Sequence, residues 1–340
     1  MTQLASCIEN LIQIGTVQNI SVRVGRNDQI LYDLYRSPNN TVNENTLFDM
    51  ASVTKILATT SLALMALDRN LLSLEDPVAK FFRCDAEKEK LTIFNLLTHT
   101  IGIGYKPLFK EEPTCDTIAD TILKIPCDIP IGSDVLYSCP AFILLGKILE
   151  NVFEKPFQTL FDELVCKPLN LASTRFCPQD KTNIVNSNLD HTMLGQVNDN
   201  NCRFLGGIAG NAGVFSNITD MTAFAKYLLR KGAPIIRQST FENAVLNHTP
   251  QMSAARGLGF LYVDERYTQT GSLFPVGSIG HCGHTGQSVF VDFKTGLYVI
   301  ILSDATISTV KKYGNEHYGE VMQMRADLHN AIKQDLKESI

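Results

Sequence analysis

Long apolar runs are missing from this 340-residue chain. Its apolar stretches are short, such as "LYVIIL" at 297–302, whereas a bilayer-spanning helix needs about 18 residues. No membrane span is therefore expected. Polybasic clusters are also missing, with only doublets such as Lys311-Lys312, and the formal net charge is −5. That balance argues against nucleic acid or anionic lipid as the main partner. The nine cysteines include no Cys-x-x-Cys pair, which fits free thiols in a reducing compartment better than a disulfide framework. The opening "MTQLASCIENLIQ" has neither a basic region nor an apolar core of the signal-peptide kind, so a cytoplasmic location is expected. There is no internal repeat and no low-complexity segment.

What is present is material for a large core. Apolar residues make up 44% and charged residues 19%, enough for one large domain or two ordinary ones. Residues 2–15 have the spacing of a short amphipathic helix. "ISVRVG" (20–25) and "ILYDLY" (30–35) alternate around "RND" and predict a hairpin. An apolar helix is expected from Ser52 to Asp68. Helical spacing recurs at 91–100, 140–153 and 156–165, with Pro156 suited to a helix start. Further helices are expected at 219–230, capped by Thr219, and at about 315–336. Strands are expected at 258–263, 288–293 and 297–302, the last two forming a hairpin around "KTG". Strands thus gather at the two ends and helices in the middle. The fold class expected is α+β, with an α/β domain from 1–70 and 214–340 and a helical insertion at 71–213.

"ASVTK" opens the first apolar helix. With 19 serines and 18 lysines, chance alone yields about one Ser-x-x-Lys match, and a second, Ser308-x-x-Lys311, reads as surface. The first differs in setting. Ser52 and Lys55 share one helix face, and a helix N-terminus favours oxyanion character while disfavouring a charged amine. Partial burial lowers a lysine pKa in the same sense, so a neutral Lys55 is expected to take the serine proton. Tyr137-Ser138 open another apolar helix, and His284-Thr285-Gly286 precede a strand. The backbone N–H groups of Ser52 and Gln287 are candidates for an oxyanion hole.

The order Ser-x-x-Lys, Tyr-Ser-x, His-Thr-Gly resembles the serine β-lactamase and penicillin-binding-protein superfamily. Within it, "FDMASVTK", "LLTHTIGI", "YSCPAFILLGKILE" and "GHTG" are similar to the class C β-lactamase-related esterases and peptidases, across roughly 20–305. The resemblance implies an antiparallel sheet flanked by helices, plus an all-helical region, with the site between them. It implies Ser52 as the acylated nucleophile, Lys55 and Tyr137 sharing proton transfer, and His284, Thr285, Gly286 and Cys139 contacting substrate. No cofactor or metal is implied, and the partner is a small or peptide-like acyl substrate.

The departures shape the expected substrate. Cys139 stands where relatives often carry an asparagine that bonds a substrate amide, and a thiol does that poorly. His284 stands where many carry lysine, and at neutral pH an ordinary histidine is only partly charged. Both favour ester or less acidic substrates. Asn198 replaces a histidine in the "VNDNN" loop. The readings carried forward are a serine hydrolase on esters or amides, an acyltransferase, D-amino-acid peptidase or weak β-lactamase on the same fold, and a binding or sensor protein. "HCGH" (281–284) lacks the partner pair a structural zinc needs, "GGIAGNAG" (206–213) lacks a phosphate-loop ending, and His99 is expected to brace a loop.

Overall fold

The two ends of the chain meet in one sheet. The computed structural model describes residues 2–106, 118–314 and 317–338. Helix α1 (Gln3–Gln13) leads to strands β1 (Ile20–Arg26), β2 (Gln29–Arg36) and β3 (Phe48–Asp49). A helical run, Ala51–Asp68, follows and ends as regular helix α2 (Ser61–Asp68). Next come α3 (Ile93–Thr98), α4 (Ile118–Leu123), α5 (Cys139–Phe153), α6 (Phe157–Phe161) and α7 (Lys167–Leu169). Then follow β4 (Arg175–Phe176), α8 (Asn200–Phe204), β5 (Val214–Ser216), α9 (Ile218–Leu229) and α10 (Gln238–Ala244). Strands β6 (Leu261–Tyr262), β7 (Ile279–Cys282), β8 (Ser288–Asp292) and β9 (Leu297–Ser303) precede α11 (Ala305–Tyr313) and α12 (His317–Glu338).

The main sheet is antiparallel throughout, in the order β2-β1-β9-β8-β7-β6. β1 pairs with β9 from Ile20↔Ser303 to Arg26↔Leu297, which stitches the N-terminal hairpin to the late strands. Period-2 alternation sends the two faces of β9 to different layers. Val299 and Ile301 pack with Val22 and Val24 against Leu4 and Ile8 of α1 and Val321 and Leu328 of α12. Tyr298, Ile300 and Leu302 belong instead to the core that contains Met221, Phe224 and Leu228 of α9. This helix–sheet–helix arrangement confirms the α+β expectation. Phe224 is fully buried in that core. Phe224→Ala is expected to cost about 3–5 kcal/mol, read as a lowered urea midpoint at unchanged slope.

Some elements depart from expectation for local reasons. The strand expected at 258–263 shrinks to β6, because Gly257 N–H bonds the Phe260 carbonyl and Gly259 sits at φ +80°. β7, α10 and α11 were not expected. On α11 Ser308 is buried while Lys311 is exposed, so only the lysine of that pair is surface. Asn217, not Thr219, caps α9: its side chain accepts from Asp220 N–H at 2.8 Å, while the Thr219 hydroxyl bonds the Glu44 carbonyl at 3.2 Å. The helix expected over 91–100 is trimmed to α3 by a Thr92–Asn95 capping box and a left-handed His99. Residues 315 and 316 of the expected final helix lie outside the described residues. Ala51–Asp68, by length and composition, is apolar enough to cross a membrane, which the short apolar runs did not suggest; 83% of it is buried inside the fold, as in a core helix.

Candidate active site

The site begins with a turn held from behind. β3 delivers Asp49, whose fully buried carboxylate accepts the N–H of Ala51 at 2.8 Å and of Asn198 at 2.7 Å, and the Ser187 hydroxyl at 3.2 Å. Burial pushes that carboxyl up to about 6 against the pull of these donors. Ala51 takes φ +45°, a left-handed conformation uncommon for a residue with a Cβ. The turn sets Ser52, half-buried, at the start of the helical run. Met50, not Ser52, stands at the N-cap position.

Ser52 Oγ lies between two proton-bearing groups. Tyr137 donates its hydroxyl at 2.6 Å and Lys55 Nζ donates at 3.1 Å. The Lys55 ammonium also reaches the Asn211 carbonyl at 3.0 Å and Cys139 Sγ at 3.5 Å. Three acceptors match the three protons of an ammonium group. Burial works against the charge on Lys55, but its interactions with Cys139 and Tyr137 outweigh it and hold the amine above an ordinary lysine. This corrects the expectation of a neutral resting Lys55, which weighed burial without these neighbours. Burial likewise raises Tyr137 to about 12 against the opposing pull of Lys55. The resting pair is therefore ammonium and phenol, and losing one proton makes it a base.

Tyr137 is placed by the start of α5. Ser138 caps that helix, its Oγ accepting from Ala141 N–H at 3.2 Å, and its own N–H donates to His99 Nδ1 at 3.0 Å. Burial keeps His99 neutral, as an acceptor must be, and its ring packs 4.8 Å from that of Tyr137. His99 is thus a brace. The glycine-rich loop is a packing device: a Cβ on Gly210 would stand 2.1 Å from the Phe142 carbonyl, and this close approach accompanies the Asn211 carbonyl to Lys55. Tyr137→Phe keeps the ring and removes the proton carrier; a loss of about 10²–10⁴-fold in kcat for a small ester is expected, with an unchanged melting profile.

Of the residues expected in the third motif, only His284 reaches the cavity. The cavity around Ser52, about 710 Å³, is walled by His281, Cys282 and His284, together with Tyr137, Cys139 and Asn198. Thr285, Gly286 and Gln287 do not line it. Thr285 Oγ1 and Gln287 Nε2 both donate to the Asp49 carbonyl, at 2.9 and 2.5 Å, and a Cβ on Gly286 would meet Ser303 Oγ. These three support the turn from below. His281 and Cys282, at the end of β7, are buried but line the cavity, while His284 beyond them is exposed. A Cβ on Gly283 would come within 2.7 Å of the Met50 carbonyl, so its backbone lies against the Ser52 turn. Arg325 of α12, fully buried, donates to the Gly283 carbonyl and to Gln269 Oε1, the latter at 2.7 Å.

Both histidines of this stretch are shifted toward the neutral form, His281 strongly. Burial, then Lys55 and Arg256, push His281 well below the ordinary range. His284 is exposed at the cavity rim; its partial desolvation there, then His317 and Arg325, lower it, and its ring stacks on Tyr318 at 5.7 Å. His281 Nδ1 lies 2.8 Å from the Cys282 carbonyl. A carbonyl only accepts, so Nδ1 carries the proton and Nε2 presents a lone pair. Among the described residues, no group of three or more His, Cys, Asp or Glu side chains is disposed to hold a metal ion.

A serine between a buried lysine and a tyrosine, beneath the end strand of an antiparallel sheet, defines a protein of the β-lactamase and penicillin-binding-protein fold. The family model described as Beta-lactamase matches residues 4–321, and the chain belongs to that family of serine hydrolases. A relative named "Putative D-alanyl-D-alanine carboxypeptidase" from Escherichia coli (strain K12) is 26% identical over 308 aligned positions, covering 78% of this chain and 70% of its own. Among solved structures, "EstCE1, a hydrolase with promiscuous acyltransferase activity" superposes with a TM-score of 0.75 at 20% identity, covering 96% of this chain and 97% of that one. "Simvastatin Synthase (LovD) from Aspergillus terreus" gives 0.73 at 16% identity, covering 97% and 96%. At these identities the two structures establish the shared fold alone.

Proposed function

We propose that the protein forms an acyl-enzyme on Ser52 and cleaves ester or amide bonds of a small substrate. One observation carries the reading: Ser52 Oγ accepts from both Tyr137 and Lys55, at 2.6 and 3.1 Å, on the wall of a cavity of ligand size. The pair, short of one proton, takes the hydroxyl proton as Oγ attacks the substrate carbonyl. Ser52 and His284 backbone N–H groups are assigned to the developing oxyanion, because Gly283 lies against the Met50–Ala51 backbone while Gln287 is turned beneath it. The pair returns the proton to the leaving group, then draws one from water as it attacks the acyl-enzyme and hands it to Ser52 Oγ as the acid departs. The two groups act as one coupled system.

Acyl transfer, with an alcohol or amine replacing water, is the second reading. The cavity leaves room for an acceptor beside the acyl group, and relatives carry transferase and carboxypeptidase names. Incubation with a chromogenic ester, a D-alanyl dipeptide and a cephalosporin, each with and without an alcohol acceptor, separates these by product mass. The hydrolase reading expects ester turnover and an adduct on Ser52 with a phosphonate probe. No turnover and no adduct would return the chain to a binding role.

A further inference from the structure

The cavity holds a positive charge that the proposed chemistry does not use. Arg256 sits in the turn before β6, its N–H bonded to Thr249 Oγ1 at 2.9 Å and its carbonyl accepting from His248 N–H at 2.8 Å. The side chain is only 7% exposed and lines the same cavity as Ser52. Its Nε and Nη1 have no hydrogen-bond partner. The guanidinium lies 5.8 Å from the centre of the Tyr137 ring, the ring whose hydroxyl touches Ser52 Oγ. Its strongest electrostatic neighbours are the phenols of Tyr137, Tyr267 and Tyr318 and the thiol of Cys282; among the described residues no carboxylate forms an ion pair with it. The acids of the cavity wall are engaged elsewhere: Asp264 holds Arg266 at 2.5 Å, and Asp199 caps α8 by accepting Cys202 N–H at 2.8 Å.

Buried charges are normally paired. A planar guanidinium with open N–H groups matches a carboxylate in geometry as well as charge. The third motif offers no competing site, since His281 presents the Nε2 lone pair toward its surroundings and a lone pair repels an anion. We propose that Arg256 is a specificity-determining residue that receives a carboxylate of the substrate, so that the preferred substrates are anionic esters or amides. This rests on the acyl-enzyme reading of Ser52 and names the substrate class for that site. It also reverses the expectation of less acidic substrates: the cation is supplied by the turn before β6 and not by the third motif.

The test compares matched esters on the purified full chain. 4-Nitrophenyl glutarate against 4-nitrophenyl valerate places the charge on the acyl side; 4-acetoxybenzoate against its methyl ester places it on the leaving group. At least one pair should favour the anion by about tenfold or more in kcat/KM. Arg256→Gln should bring that ratio close to one, mainly through KM, and Arg256→Lys should keep part of it. Two neutral preferences in the wild type, or a ratio untouched by Arg256→Gln, overturn the proposal. Should Arg256→Gln fail to fold, glutarate and glutaramide are compared as inhibitors of wild-type valerate-ester hydrolysis: stronger inhibition by glutarate supports it, and equal inhibition overturns it. If the wild type turns over no ester or amide and forms no phosphonate adduct on Ser52, the acyl-enzyme reading fails. Calorimetric binding of glutarate, lost in Arg256→Gln, then still decides the role of Arg256.

Discussion

Ser52→Ala lowers ester turnover on the order of 10⁴–10⁶-fold, the scale set by removing the nucleophile from a serine enzyme. The fold should survive. The turn is held by the Asp49 carboxylate and by Thr285 and Gln287, none of which touches the serine hydroxyl. Lys55 keeps two of its three acceptors, the Asn211 carbonyl and Cys139 Sγ. Tyr137 loses its 2.6 Å partner but faces the cavity, where water can replace it. A steady-state assay with a small chromogenic ester, paired with circular dichroism, checks both halves. Wild-type turnover in a folded Ser52→Ala variant sinks the mechanism, and loss of turnover with loss of fold calls for Ser52→Cys, expected to react with a phosphonate or thioester probe.

The nucleophile, its lysine and its tyrosine were legible because each is set by local sequence. Ser52 and Lys55 are one helical turn apart, and Tyr137 precedes a capped helix. Of the third motif, His284 was placed on the cavity wall, while His281 and Cys282 beside it were not. "HCGHTG" contains two His-x-Gly triplets, and which of their residues face the cleft is decided by the pairing of Cys282 with Ser288 across β7 and β8, a register the sequence leaves open. Arg256 was not legible at all. Nothing near it in sequence carries chemistry, and its importance comes from long-range packing that buries its guanidinium above Tyr137. The resting charge of Lys55 was misjudged for a similar reason: Cys139 is 84 positions away in sequence, so burial was weighed without its counterweight. In the fold, alternation made β1, β2, β8 and β9 readable, whereas β7 is masked by Gly280 and by two polar-capable residues that the fold nonetheless buries.

The second large effect concerns Lys55 and carries a sign. Both members of the proton-transfer pair are held protonated at neutral pH, Lys55 above an ordinary lysine and Tyr137 at about 12. The reactive form has lost one of those protons. Its population grows about tenfold per pH unit below the apparent pKa of the pair, so kcat/KM for a neutral ester should climb from pH 6 to pH 9 without a plateau. His281, pushed well below the ordinary range, and His284, lowered from it, are not expected to supply the rise toward pH 9. Lys55→Ala should lower kcat by about 10²–10⁴-fold and move the remaining rise to higher pH, because the ammonium now helps Tyr137 to ionise. Tyr137→Phe should move it the other way, since the phenol is among the groups that hold the Lys55 proton. The displacement is read where a variant's profile levels off: Tyr137→Phe should bring a plateau to lower pH than in the wild type, whereas a merely structural lysine would lower activity with no plateau moved. A flat wild-type profile between pH 6 and 9, or a limb centred near 6.5 that both variants retain, would assign the base to another group.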